Sequence, residues 1–184
     1  GTLVSLKNGM FGGDENLAEV VLEDGIERIE GSVFRDCSSL RSVSIPDSVT
    51  ELGEGLFYGC TALEAVPLSA GIRRLQYKMF IDDPESLAML EIPAGVEEIR
   101  RYALAGIRTV VVPENARYVS YLGTACRKIL PPDDTGTLQT QLTLERIIYE
   151  ETAEQWALLT AGLDPNDPVR TVPVLFRGSV PENE

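Results

Sequence analysis

The sequence predicts an α/β repeat solenoid, a right-handed superhelix of short parallel strands closed by a C-terminal strand–helix–strand cap. Three observations carry that expectation: a period near 23 residues, apolar residues at fixed offsets inside it, and loss of the period after Leu130. Strand-like triplets start at Val20, Val43, Val66, Leu90 and Val110, which are 23, 23, 24 and 20 residues apart. Six positions after each start stand Ile26, Val49, Ile72, Val96 and Ala116, and nine after stand Ile29, Leu52, Leu75, Ile99 and Val119. Fourteen positions after stand Phe34, Phe57, Phe80 and Leu104. Three positions before the next triplet stand Leu40, Leu63, Leu87 and Ile107, with Cys126 in that role before Ile129.

The reason for such a period is burial. One strand, a turn and a return segment cannot cover their own apolar face, so copies stack and share a continuous core. Alternation along each strand turns Val and Ile inward and the residue between them outward. Pro46, Pro93 and Pro113 follow strand residues directly and stop the ladder by withholding an N–H. Leu3, Leu6, Phe11 and Leu17 precede Ile26, Ile29, Phe34 and Leu40 by 23 residues. Residues 1–19 therefore read as the rear part of a repeat, in a stretch of a longer array.

The unit Val43-Ser-Ile-Pro-Asp-Ser-Val-Thr-Glu-Leu-Gly-Glu-Gly-Leu-Phe-Tyr-Gly-Cys-Thr-Ala-Leu63 and its neighbours resemble BspA-like leucine-rich repeats. The shared pattern is I-P-x-x-V-x-x-I-x-x-x-x-F-x-x-C-x-x-L, and it covers roughly residues 3 to 130. That resemblance implies a leucine-rich-repeat superhelix used for adhesion or protein binding, on secreted or cell-surface proteins of bacteria. It implies no enzyme activity and no cofactor, and a partner that is a protein or a surface glycoconjugate. A structural spacer or stalk that presents other domains is the alternative use, and an unassigned enzyme role comes last.

The expected domains are repeats over 1–130 and a cap over 131–184. Pro131 to Gly136 reads as a loop, Leu142 to Tyr149 as a strand, and Thr152 to Thr160 as a helix with Thr152 and Gln155 forming a capping box. Val172 to Phe176 reads as a last strand whose Pro173 suits an edge, and residues 178–184 as a frayed acidic tail. Tyr149-x-x-Thr152-x-x-x-Trp156 resembles the terminal segment of such arrays, with Glu151 where the family has Gly. Trp156 reads as the anchor of the cap.

Composition narrows function by exclusion. A net charge of -13 leaves no basic stripe for nucleic acid and disfavours docking on an anionic membrane. No apolar run approaches the ~20 residues of a membrane span. The chain has no histidine, the commonest general base and transition-metal ligand. It also carries no serine-elbow, P-loop or dinucleotide motif, so no catalytic, metal or cofactor residue is assigned. Asp82-Asp83, Asp133-Asp134 and Asp164/Asp167 could interest calcium but match no calcium loop, and solvated loops are the plainer reading. Cys37 and Cys60 fall at one place in adjacent repeats. Stacked coils would bring them within disulfide reach, while the pattern's use of Cys as a small hydrophobe makes them free core thiols.

The outer strand face is the candidate binding surface. Its centre row is Val21, Ser44, Pro67, Glu91 and Val111, and the row before holds Glu19, Ser42, Ala65, Met89 and Thr109. Ala65, Pro67, Ala88 and Met89 make its middle small and apolar, the character of an interaction site. The assigned binding residues are Val21, Ser44, Ala65, Pro67, Met89, Glu91 and Val111.

Overall fold

The computed structural model describes residues 4–80, 87, 89–113, 116, 122, 127–130, 139–142 and 144–177, with the backbone alone for 127–130 and 139–142. Within them the chain winds as a β-solenoid of about six coils. One column of parallel strands contains β2 (Glu19–Val21), β4 (Ser42–Ser44), β7 (Met89–Glu91) and β9 (Thr109–Val112). Its register places Val20 beside Val43 and Leu90 beside Val110, as the triplet spacings of 23 and 20 residues require. The third coil contributes no regular strand to this column. Its segment near Val66 touches β4 through a bridge between Ser42 and Ala65, and Pro67 has no N–H to extend the ladder.

A second column was not anticipated from the sequence. It consists of the two-residue strands β1 (Ser5–Leu6), β3 (Arg28–Ile29), β5 (Glu51–Leu52), β6 (Arg74–Leu75) and β8 (Glu98–Ile99). They pair in parallel as β1–β3–β5 and β6–β8. In each the second residue is buried, which explains the apolar ladder nine positions after the triplets.

The return segments are hydrogen-bonded turns. Phe11, Phe34, Phe57 and Phe80 donate their N–H groups to Val33, Leu56, Met79 and Ala103 of the next coil, at 3.0, 3.2, 2.9 and 3.1 Å. Their rings stack at centroid distances of 5.7, 5.7 and 5.4 Å, nearly parallel. Cys37 and Cys60 are free and buried, and their thiols donate to the carbonyls of Phe11 and Phe34 one coil earlier, at 3.1 and 2.9 Å. Burial pushes the Cys60 thiol up to about 12 and the Cys37 thiol upward as well. The pattern's cysteine is thus a small core residue that ties one coil to the last.

These turns need left-handed backbone at two places per coil. Gly9, Ser32, Gly55, Lys78 and Tyr102 occupy the first, with φ of 64°, 55°, 60°, 54° and 60°. Gly13, Asp36, Gly59 and Gly106 occupy the second. Side-chain-bearing residues there sit where glycine is favoured.

The sheet crosses the expected repeat–cap boundary. β9 is followed in space by β12 (Arg146–Tyr149), with Val110 beside Ile147, and not by the stretch around Ile129. Leu144, three residues before Ile147, is buried in the place of Leu63 and Ile107. Arg127–Leu130 and Gln139–Leu142, β10 and β11, instead form an antiparallel pair of their own. Local periodicity could not distinguish that hairpin from a further coil, because pairing partners are chosen by contacts far along the chain. The expected strand over 142–149 is therefore two strands in different sheets.

Beyond β12 lies a helix, Ala153–Thr160, whose capping box is complete: Thr152 accepts from the Gln155 N–H and Gln155 accepts from the Thr152 N–H. Val174–Phe176, β13, pairs in parallel with β12. Trp156 is half-buried, its ring 5.2 Å from that of the buried Tyr149. No helix among the described residues is long and apolar enough to cross a membrane.

Candidate binding face

Strand alternation sets the face. In β4 the side chain of Val43 is buried while Ser42 is half-buried and Ser44 exposed; in β7 Leu90 is buried between exposed Met89 and Glu91. Val21 is 78% exposed and Met89 53%, large values for apolar side chains on regular strands. Ala65 and Pro67 are exposed between them on the third coil. The structure thus brings six of the seven assigned residues onto one open surface. Ala88 lies outside the described residues.

Val111 departs from the expectation. It is 3% exposed, and Ile148, its register partner on β12, is 8% exposed. Alternation decides which side of a sheet a residue faces, but not whether that side is covered. The open face therefore runs from β2 to β7 and ends before Val111.

Electrostatics differ between the two strand columns. The first residues of β3, β5, β6 and β8 alternate as Arg28, Glu51, Arg74 and Glu98. Arg28 meets Glu51 at 2.7 Å and Arg74 meets Glu98 at 2.6 Å, with Arg100 also on Glu98 at 2.9 Å. Lys7 meets Glu30 at 2.9 Å, and that contact holds the Glu30 carboxyl below its usual range. Apart from Arg100–Glu98, which lies within one coil, these pairs join adjacent coils on an exposed surface, so each contributes little energy and mainly favours register. The alternation at steps of 23, 23 and 24 residues, each charge just before a buried apolar residue, was the sequence signal for this column.

The assigned strand face has no such neutralisation. Among the described residues Glu19, Glu23, Asp24, Glu64 and Glu91 meet no cation. Asp164 and Asp167 accept backbone N–H groups of Asn166 and Val169, a turn and a cap rather than a cation loop. No group of three or more metal-ligating side chains occurs among the described residues, and the two described thiols are buried and held neutral at physiological pH. The other acidic pairs, Asp82-Asp83 and Asp133-Asp134, lie outside the described residues, as does Cys126.

Stacked parallel coils, a repeat-to-repeat Phe ladder and an open strand face define a leucine-rich-repeat solenoid. The family model for the BspA type leucine-rich repeat region matches residues 2–121 in six copies. The chain belongs to that family. It is similar to a leucine-rich cell surface protein from Faecalibacterium prausnitzii A2-165, with 26% identity and a TM-score of 0.58 over 77% of this chain and 34% of that one. A leucine-rich repeat protein from Eubacterium ventriosum ATCC 27560 shares the fold at 17% identity and a TM-score of 0.52, over 63% of this chain and 34% of that one. The chain thus spans about a third of each of these solved proteins. Among curated proteins none matches it.

Proposed function

We propose that the chain is a non-catalytic binding or adhesion module of a bacterial cell-surface or secreted protein, and that it binds a protein or surface glycoconjugate through the β2–β7 strand face. The observation that carries this reading is the exposure of Val21 and Met89 on the outer side of strands whose inner side chains build the core. Contiguous exposed apolar patches rimmed by polar residues mark contact surfaces, and Ala65 and Pro67 lie exposed between Val21 and Met89. Family membership supports a repeat module, and the F. prausnitzii neighbour's description as a cell surface protein supports the location.

The test is binding of the purified chain to an array of extracellular-matrix proteins and mucin glycans, beside a Val21→Asp/Met89→Asp variant. Both positions are exposed, so the variant is expected to keep its fold, which circular dichroism verifies. Capture of at least one array component by the parent chain, lost in the variant, is the expected result. Undiminished capture by the variant would remove the strand face from the proposal, and no capture at all would favour the spacer role.

A further inference from the structure

The third coil departs from the other described coils of the first strand column, and it does so beside the fourth. Pro67, Leu68, Ala70, Pro93 and Ala94, with Glu91, line an open groove of about 370 Å³ there. Its floor is apolar, and its backbone is poor in donors because two of the lining residues are prolines. The third coil has no regular strand of the first column at this point, so the groove lies where that column lacks a named strand, while β6 and β8 pair the same two coils in the second column. Its rim is acidic. Asp47 accepts from the Ala70 N–H at 3.3 Å and so stands at the groove, and Asp24 holds the same place one coil earlier. Asp24, Asp47 and Glu91 meet no cation among the described residues, whereas Glu30, Glu51 and Glu98 of the other column all do. Arg73, the cation on this side, is tied to the Gly95 carbonyl at 3.1 Å.

An apolar groove beside unneutralised carboxylates has a complementary ligand. We propose that it docks an extended, basic peptide segment of a partner protein, seating an apolar side chain on Pro67, Ala70 and Ala94 with cations beside Asp47 and Glu91. The inference rests on the strand-face reading above and narrows it to a partner chemistry. Charge on the rim sets encounter and selectivity, and the apolar seat sets position.

The experiment uses fluorescence anisotropy with three dye-labelled decapeptides, alternating Lys/Leu, Lys/Ser and Glu/Leu, at about 50 mM salt, where screening is weak. The Lys/Leu peptide is expected to bind best. Ala94→Arg, which fills the groove, and Glu91→Lys, which reverses its rim, should each weaken it about tenfold. Glu54→Lys, an equal charge change on the exposed turn side, should not. Equal binding of the Lys/Ser peptide, or an equal loss in Glu54→Lys, would overturn the proposal by showing diffuse attraction to an acidic protein. Ala94→Arg-sensitive binding of Glu/Leu alone would overturn the basic partner while leaving the strand face standing. If no peptide responds to Ala94→Arg while Val21→Asp/Met89→Asp still abolishes array capture, the groove falls and the face survives.

Discussion

Replacing Phe57 by alanine tests the stacked core directly. Phe57 is 2% exposed and lies between the Phe34 and Phe80 rings at 5.7 and 5.4 Å. Removing a fully buried phenylalanine costs about 3–5 kcal/mol, and a site with rings on both sides cannot collapse easily, so the upper half of that range is expected. Phe11 repeats the chemistry at the start of the ladder with a single ring neighbour and only partial burial. Phe11→Ala should therefore cost about half as much, ~2 kcal/mol. For a domain of this size the melting points should fall by about 8–20 °C and about 4–8 °C respectively. Urea unfolding followed by circular dichroism and by Trp156 fluorescence measures both variants, and coincidence of the two probes verifies that the coils unfold together. Phe57→Leu, which copies Leu104 in the same role, should cost only ~1–2 kcal/mol. Equal losses from Phe11→Ala and Phe57→Ala, or a loss under ~1 kcal/mol at Phe57, would refute the argument that neighbour stacking supplies the stability.

Lys78 holds φ at 54°, where the matching residues Gly9 and Gly55 are glycine. Lys78→Gly should raise stability by up to ~1 kcal/mol, while Gly55→Ala should lower it by a similar amount, both read from thermal melts. Gly53→Ala should cost ~1–3 kcal/mol in the same assay, because a Cβ there would press into the backbone of Glu30 and Gly31 rather than into a movable side chain. The Cys60 thiol is raised to about 12 by burial, so its folded pKa lies above its unfolded value. Its contribution to stability is complete below the unfolded thiol pKa and declines as pH climbs from there toward 12. In a Cys126→Ser background, iodoacetamide at pH 8 should leave Cys37 and Cys60 unmodified in the native chain and alkylate both in urea; rapid native labelling would contradict the buried thiols.

Some of this architecture needed no coordinates. A coil of 23 residues leaves periodic marks, and stacking forces each mark to the same depth. Ile26, Ile29, Phe34 and Leu40 were assigned inward places by spacing alone, and each is at most 8% exposed. The capping box at Thr152 and Gln155 was equally legible, because it depends on residues three apart. The outer placement of Val21, Ser44, Met89 and Glu91 followed from alternation.

Other features depended on which segments meet. Spacing marked Ile129 as the next coil, yet the sheet passes from Val110 to Ile147, since a strand's partner is set by long-range contacts that no local window contains. Burial of Val111 has the same origin, for a residue's side of the sheet is a local property and its covering is not. The sequence by itself determined the repeat, its inward ladder and the face the chain presents. The tertiary structure alone decided how far that face stays open, which acids find cations, and where residues of the third and fourth coils line a groove, because each is a relation between residues one coil or more apart.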